Sequence, residues 1–371
     1  MNGQRYLVLD SFRGLCAIFV VVFHMRALGS ITEISFFKGS DLFVNFFFVL
    51  SGFVMSHAYL KRSDIAFTDY ISSRFRRLYP LYIFMLIVFI GLECAKYIAY
   101  TKMGITLNAV PFTGKSAPVE VIPNLLMIQA WTEFTEHLSF NYPSWSISIE
   151  FYTYILFFVA IHFFKKYFSI SCLAIPAILI VLHTITNGVI TEYAANGVFC
   201  FFSGVITYSI SKTKFISNKL IATIVEVSAL VAIYYVVSSD IIIKWILSAL
   251  LFSLTIFVYS KEAGAISSIL KTTPFISIGK WSYSIYMTHA AILFCVISAF
   301  MVLQKITGKE LTLMVNGDRT LNLGSAALNN ILVALVICIT IVVSSITYRF
   351  IEMKFNKKKG KQKTDCEIIS E

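Results

Sequence analysis

An arginine and a histidine stand eleven positions apart in the first apolar stretch, Leu9-Asp10-Ser11-Phe12-Arg13-Gly14-Leu15-Cys16-Ala17-Ile18-Phe19-Val20-Val21-Val22-Phe23-His24. On a helix that spacing is about three turns with about 20° of residual rotation, so Arg13 and His24 share a face, about 16 Å apart along the axis. An imidazole at membrane depth is either hydrogen-bonded glue between helices or a functional group facing protein or water. With one ring nitrogen open it can accept a proton or attack a carbonyl, the work of a general base or nucleophile. A second basic cluster, Arg74-Phe75-Arg76-Arg77-Leu78-Tyr79-Pro80, puts Arg74 and Arg77 near one helical turn apart. Paired guanidinium groups grip phosphate bidentately, although the same residues also anchor a helix to a basic membrane face. Glu150, in Pro143-Ser144-Trp145-Ser146-Ile147-Ser148-Ile149-Glu150, is one of few acidic residues expected at membrane depth. It is placed either to orient His24 or to bond to neighbouring Ser and Tyr.

The other ionisable residues have weaker claims. His57, His162, His183 and His289 are read as lying near helix ends and His137 in an external loop, while Glu93 and Glu226 suit structural or interfacial roles. No histidine pair has metal-ligand spacing, so no metal is expected. Phosphate-loop, nucleophile-elbow and dinucleotide motifs are absent. The seven cysteines contain no C-x-x-C pair and read as small apolar residues.

These groups need a scaffold, and composition says which kind. The 371 residues are 57% apolar and only 14% charged, against about 25% charged in a soluble domain. Apolar stretches of about 20 residues, each able to cross about 30 Å of hydrocarbon, recur along the chain. We expect an all-α polytopic membrane protein with ten helices, at about 11–29, 42–60, 78–100, 145–163, 168–187, 194–211, 219–238, 241–259, 275–303 and 327–350. The first is read as a retained helix, because no small-residue cleavage site follows it. The shorter run from Pro123 to Trp131 is either re-entrant or interfacial. It lies in a long external segment, about 101–144, whose Trp131, Phe134, Phe140 and Tyr142 beside Glu133, Glu136 and His137 suit sugar rings or interfacial anchoring.

The net charge of +11 follows from basic groups at Lys61 to Arg77, Lys165-Lys166, Lys212 to Lys219, Lys261 to Lys280 and Arg349 to Lys363. They fall on alternate connections, the positive-inside pattern of a chain with both termini cytoplasmic. Aromatic richness without long basic runs excludes nucleic acid as the partner. The lipid bilayer is the partner that composition implies. Residues 1–355 form one membrane-embedded domain, and 356–371 a basic, disordered cytoplasmic tail near anionic lipid.

Taken in order, six stretches resemble the acyltransferase family 3 of integral membrane acyltransferases. They are Leu9-Asp10-Ser11-Phe12-Arg13-Gly14 leading to His24; Phe47-Phe48-Val49-Leu50-Ser51-Gly52-Phe53; Arg74-x-x-Arg77 before Tyr79-Pro80; Trp145-Ser146-Ile147-Ser148-Ile149-Glu150; Gly279-Lys280-Trp281-Ser282-Tyr283-Ser284-Ile285-Tyr286-Met287-Thr288-His289; and Tyr348-Arg349-Phe350-Ile351-Glu352. The resemblance implies that residues 1–355 are an acyltransferase domain of a bacterial cytoplasmic membrane. It implies an acetyl group taken from cytoplasmic acetyl-CoA and delivered to a hydroxyl of a surface polysaccharide, or of its lipid-linked oligosaccharide precursor. On it, Arg13, Arg74 and Arg77 with Ser51 and Gly52 hold the donor, and His24 and Glu150 are catalytic. Two positions depart: Asn45 stands where many members have Asp, and Met353 where Arg often follows the final Glu. Succinyl-CoA as donor and a proton-coupled secondary transporter are the alternatives, the latter disfavoured because the motifs of the first four helices do not recur in the last six.

Overall fold

The computed structural model describes residues 5–356 except 63–64, 105, 108, 187, 214–217 and 316. In chain order the helices are α1 (Leu7–His24), α2 (Ser35–Lys38), α3 (Phe43–Tyr59), α4 (Phe67–Met103), α5 (Val121–Leu125), α6 (Ser144–Phe163), α7 (Phe168–Thr186), α8 (Glu192–Ile210), α9 (Lys219–Ser238), α10 (Lys244–Tyr259), α11 (Ala265–Leu270), α12 (Thr273–Thr307), α13 (Ala326–Thr347) and α14 (Met353–Asn356). Among the described residues nine helical segments are long and apolar enough to cross a membrane. The tenth expected span, α10, is an apolar helix of 16 residues. From residue 357 on, the expected tail lies outside the described residues.

The spans differ in how much protein surrounds them. Of the most apolar window, 72% is buried in the span ending in α3 but only 17% in α7 and 22% in α13. A helix apolar all round must be covered by protein or lipid, so α3 belongs to the centre and α7 and α13 to the lipid-facing rim. Close pairs of helices form where glycine removes the side chain, as in membrane helix packing generally. A Cβ on Gly14 would come within 2.6 Å of the Gly279 nitrogen, and one on Gly279 within 2.4 Å of the Asp10 carbonyl. This seam makes α1 and α12 a parallel pair, with Ser11 donating to the Leu270 carbonyl at 2.6 Å and Arg13 to Ser282 at 2.7 Å.

Three boundaries depart from expectation. The first helix ends at His24, not near 29, because Met25 turns extended. The third begins at Phe67, ahead of the expected 78, so Arg74 and Arg77 lie within a 37-residue helix rather than at its mouth. The last helix runs on through a π turn at Tyr348–Glu352, which directs Glu352 inward to accept a hydrogen bond from Ser284. Such turns gather at functional sites.

Sequence reading also missed a β-hairpin, β1 (Thr312–Val315) and β2 (Asp318–Leu321), paired antiparallel with Thr312 opposite Leu321. It is fastened to the chain leaving α1: Leu28 N–H donates to the Leu321 carbonyl at 3.0 Å and Leu321 N–H to the Arg26 carbonyl at 2.9 Å. The segment 123–131 is fastened to the bundle by its backbone. Tyr82 and Tyr152 hydroxyls donate to the Asn124 and Leu126 carbonyls at 2.9 Å, and Ser148 to the Met127 carbonyl at 2.6 Å. Tyr152 lies about 12 Å along α6 from Ser144, so the segment descends well into the bundle, its backbone carbonyls satisfied by side chains as membrane depth demands.

Candidate active site

Two cavities open at different depths. The first, about 80 Å³, is lined by Arg13 of α1, Phe47 and Ser51 of α3, Arg77 of α4, Glu150 and Tyr154 of α6, and Ser282, Tyr283 and Tyr286 of α12. Arg13 is largely engaged: besides Ser282, it donates to the Gly279 carbonyl at 3.1 Å and pairs with Asp10 at 3.6 Å. Arg77 makes no hydrogen bond or ion pair among the described residues, and its electrostatic neighbours are Tyr154, Glu150, Glu352 and Asp10. A guanidinium at a cavity wall with its donors unspent is suited to a phosphate or another anion. Across from it Glu150 accepts from Ser51 at 2.7 Å and from Tyr154, both at the same oxygen.

The second cavity, about 480 Å³, is lined by Phe23, His24 and Arg26, by Phe89, Glu93 and Lys96 of α4, by Ser116, Phe140 and Tyr142, by Ala290, Leu293, Phe294 and Ile297 of α12, and by Met314, Gly317, Asp318 and Arg319 of the hairpin. Both of its carboxylates are paired with cations, and the remaining cation, Arg319, donates to the Thr312 hydroxyl at 3.1 Å. Lys96 donates to both Glu93 oxygens at 2.9 and 3.1 Å, and this carboxylate also accepts from Phe112 N–H and Ser116. Arg26 pairs with Asp318 at 2.9 Å. Glu93 therefore holds the 112–116 loop and walls the cavity, a structural role of the kind its place in the sequence suggests.

Between the cavities stands a wall of rings. His24 makes no hydrogen bond among the described residues. Its ring lies 4.5 Å from that of Tyr142 and is stacked 5.3 Å from that of His289, with 28° between planes. Burial holds the Tyr142 hydroxyl above its ordinary range. Tyr286, one turn before His289, carries the wall to the first cavity and accepts a hydrogen bond from Ser146 at 2.9 Å. His289 is corrected from a helix-end residue to one near the middle of the 35-residue α12, fully buried. A signal for it was present. Gly14 precedes His24 by ten residues and Gly279 precedes His289 by ten, so the glycine seam sets both imidazoles at one level.

The expected donor and catalytic residues are thus dispersed. Arg13, Arg77, Ser51 and Glu150 share the first cavity, whereas His24 faces the second. Glu150 does not orient His24; it bonds to Ser51 and Tyr154. Arg74 is buried outside the cavity lining, donating to Tyr59 at 3.2 Å and to the Met55 sulfur at 3.4 Å and lying over the Tyr59 and Tyr154 rings. It supports the wall that Met55 and Tyr154 form. Gly52 does not line the cavity either. A Cβ there would sit 1.9 Å from the Phe201 carbonyl, so the position allows α3 to cross α8. Asn45 sits in a neutral network, donating to Ser248 at 2.8 Å and accepting from Asn196 at 2.9 Å.

The acyltransferase-domain family profile matches residues 6–349. The chain belongs to this acyltransferase family. Among relatives, it is 35% identical to "Protein 2 in picA locus" of Rhizobium radiobacter over 28% of this chain and 51% of that protein. It is 33% identical to "Acyltransferase MdmB" of Streptomyces mycarofaciens over 36% and 29%. With "O-acetyltransferase OatA" of Staphylococcus aureus it shares 25% identity over 81% and 53%. The chain spans about half the length of these relatives or less. No solved structure matches it. The match covers every residue of both cavities and the wall between them, which makes this a multi-pass membrane acyltransferase domain.

Proposed function

We propose that this acyltransferase is an O-acetyltransferase of a bacterial cytoplasmic membrane. It takes acetyl from cytoplasmic acetyl-CoA and delivers it to a hydroxyl of a surface polysaccharide or its lipid-linked oligosaccharide precursor. The observation that carries this reading is the pair of cavities meeting at the wall that holds His24. Acetyl-CoA is long and thin, with phosphates at one end and the thioester at the other. Arg13 and Arg77 meet the phosphate end, the narrow first cavity takes the arm, and His24 meets the thioester about 16 Å deeper than Arg13. The wide second cavity, with aromatic faces and both carboxylates paired, suits a ring rich in hydroxyls. An acceptor hydroxyl there loses its proton to the open nitrogen of His24 as its oxygen attacks the thioester carbonyl. The C–O bond forms, the C–S bond breaks, and the thiolate leaves through the first cavity. The similarity to the staphylococcal O-acetyltransferase OatA supports the reading.

The test is acyl release from labelled acetyl-CoA together with ester-linked acetyl on the host's surface glycan, for wild type and His24→Ala at matched membrane levels. Loss of both in the variant is expected. Equal acetylation by the variant would remove His24 from the chemistry, and a wild type active only with succinyl-CoA would change the donor.

A further inference from the structure

His289 carries an atom that the fold does not use. Its ring is fully buried, and its Nδ1 lies 2.7 Å from the Tyr286 carbonyl. A carbonyl only accepts, so Nδ1 carries the hydrogen and Nε2 of the neutral ring is a bare acceptor. That Nε2 has no hydrogen-bond partner among the described residues. An unpaired buried acceptor is destabilising, and this one stands in the wall that a donor must enter to reach His24. Its position matches the donor's chemistry. In a pantetheine thioester the nearest amide nitrogen is four bonds from the reacting carbonyl carbon, about 5 Å when extended. The His24 and His289 rings are 5.3 Å apart.

We propose that His289 Nε2 accepts a hydrogen bond from the amide N–H next to the thioester of the acyl donor, fixing the carbonyl against His24. This rests on the donor reading above. The arm reaches Nε2 where Tyr286 swings aside, since its hydroxyl is held by the one hydrogen bond from Ser146. His289 thereby becomes a donor-binding residue at the level of the chemistry, while Arg77 binds the far end.

The experiment measures binding of a non-transferable S-alkyl thioether of coenzyme A to the purified full chain, with donor and acceptor KM alongside. His289→Phe keeps the stack but has no acceptor, and binds the thioether about tenfold more weakly, with donor KM raised and acceptor KM unchanged. His289→Gln, which restores an acceptor near the position of Nε2, recovers most of the loss. Wild-type protein binds a thioether methylated at that amide nitrogen about tenfold more weakly, a measurement independent of any variant's folding. Equal binding of the two thioethers by wild type would overturn the inference and leave the donor reading intact. Failure of wild type to bind either would sink the donor reading, and this inference with it.

Discussion

The two cavities solve opposite problems with similar residues. In the narrow one the charges come from separate helices, and Arg77 is left without a hydrogen bond or ion pair among the described residues. In the wide one each carboxylate is matched at short range, Glu93 by Lys96 and Asp318 by Arg26. An arginine held without a protein partner at membrane depth is costly, and a ligand that brings negative charge relieves that cost. A cavity whose carboxylates are already matched gains little from a cationic ligand and offers hydrogen bonds to a neutral one. The contrast teaches that direction is built into the wall: one side presents a guanidinium with its donors unspent, the other carboxylates already paired, and His24 faces the second.

The sharpest way to break the contrast is at the wall. His24→Ala lowers kcat by about 10²–10⁴-fold, the usual worth of a general base, while binding of the coenzyme A thioether persists; equal loss of binding would make His24 part of the donor site instead. Next comes the wide side. Glu93→Leu leaves the Lys96 ammonium buried and unpaired, at a cost of about 3–5 kcal/mol. A large drop in thermal stability in detergent is expected, and Glu93→Leu with Lys96→Met should recover most of it.

On the narrow side, Arg77→Ala raises donor KM by about ten- to a hundredfold, as for a lost charge-assisted hydrogen bond of about 1.5–3 kcal/mol. Acceptor KM should stay put, and a shift in acceptor KM alone would reverse the assignment of the cavities. The smallest effect belongs to Ser51→Ala. It removes one hydrogen bond to Glu150, which keeps that from Tyr154, so donor KM changes by about fivefold.

Much of this was legible in advance because a bilayer restricts what a sequence can do. The placing of nine of the ten expected spans and the shared face of Arg13 and His24 follow from length and period, whereas the run at 123–131 is left open between re-entrant and interfacial by its length alone. The partner of His24 did not follow. Counting each histidine against a nearby helix end hid His289, whereas comparing its distance from Gly279 with that of His24 from Gly14 exposes it. Glu150 is open between His24 and neighbouring Ser and Tyr in the sequence because depth along a helix does not reveal azimuth, and the fold turns it to Ser51 and Tyr154. Arg74 and Arg77 look alike in sequence, but in the folded bundle Tyr59 and Met55 occupy the first, and among the described residues no group bonds to the second. The hairpin at 312–321 escaped because two four-residue strands give too short an alternation to distinguish from a loop.

That hairpin has a mechanical consequence. It roofs the wide cavity, and its second strand is bonded through the backbone to Arg26 and Leu28, immediately beyond the last turn of α1. The strand beside the cavity and the peptide that follows His24 are therefore joined through the backbone, and a displacement of one is resisted by the other.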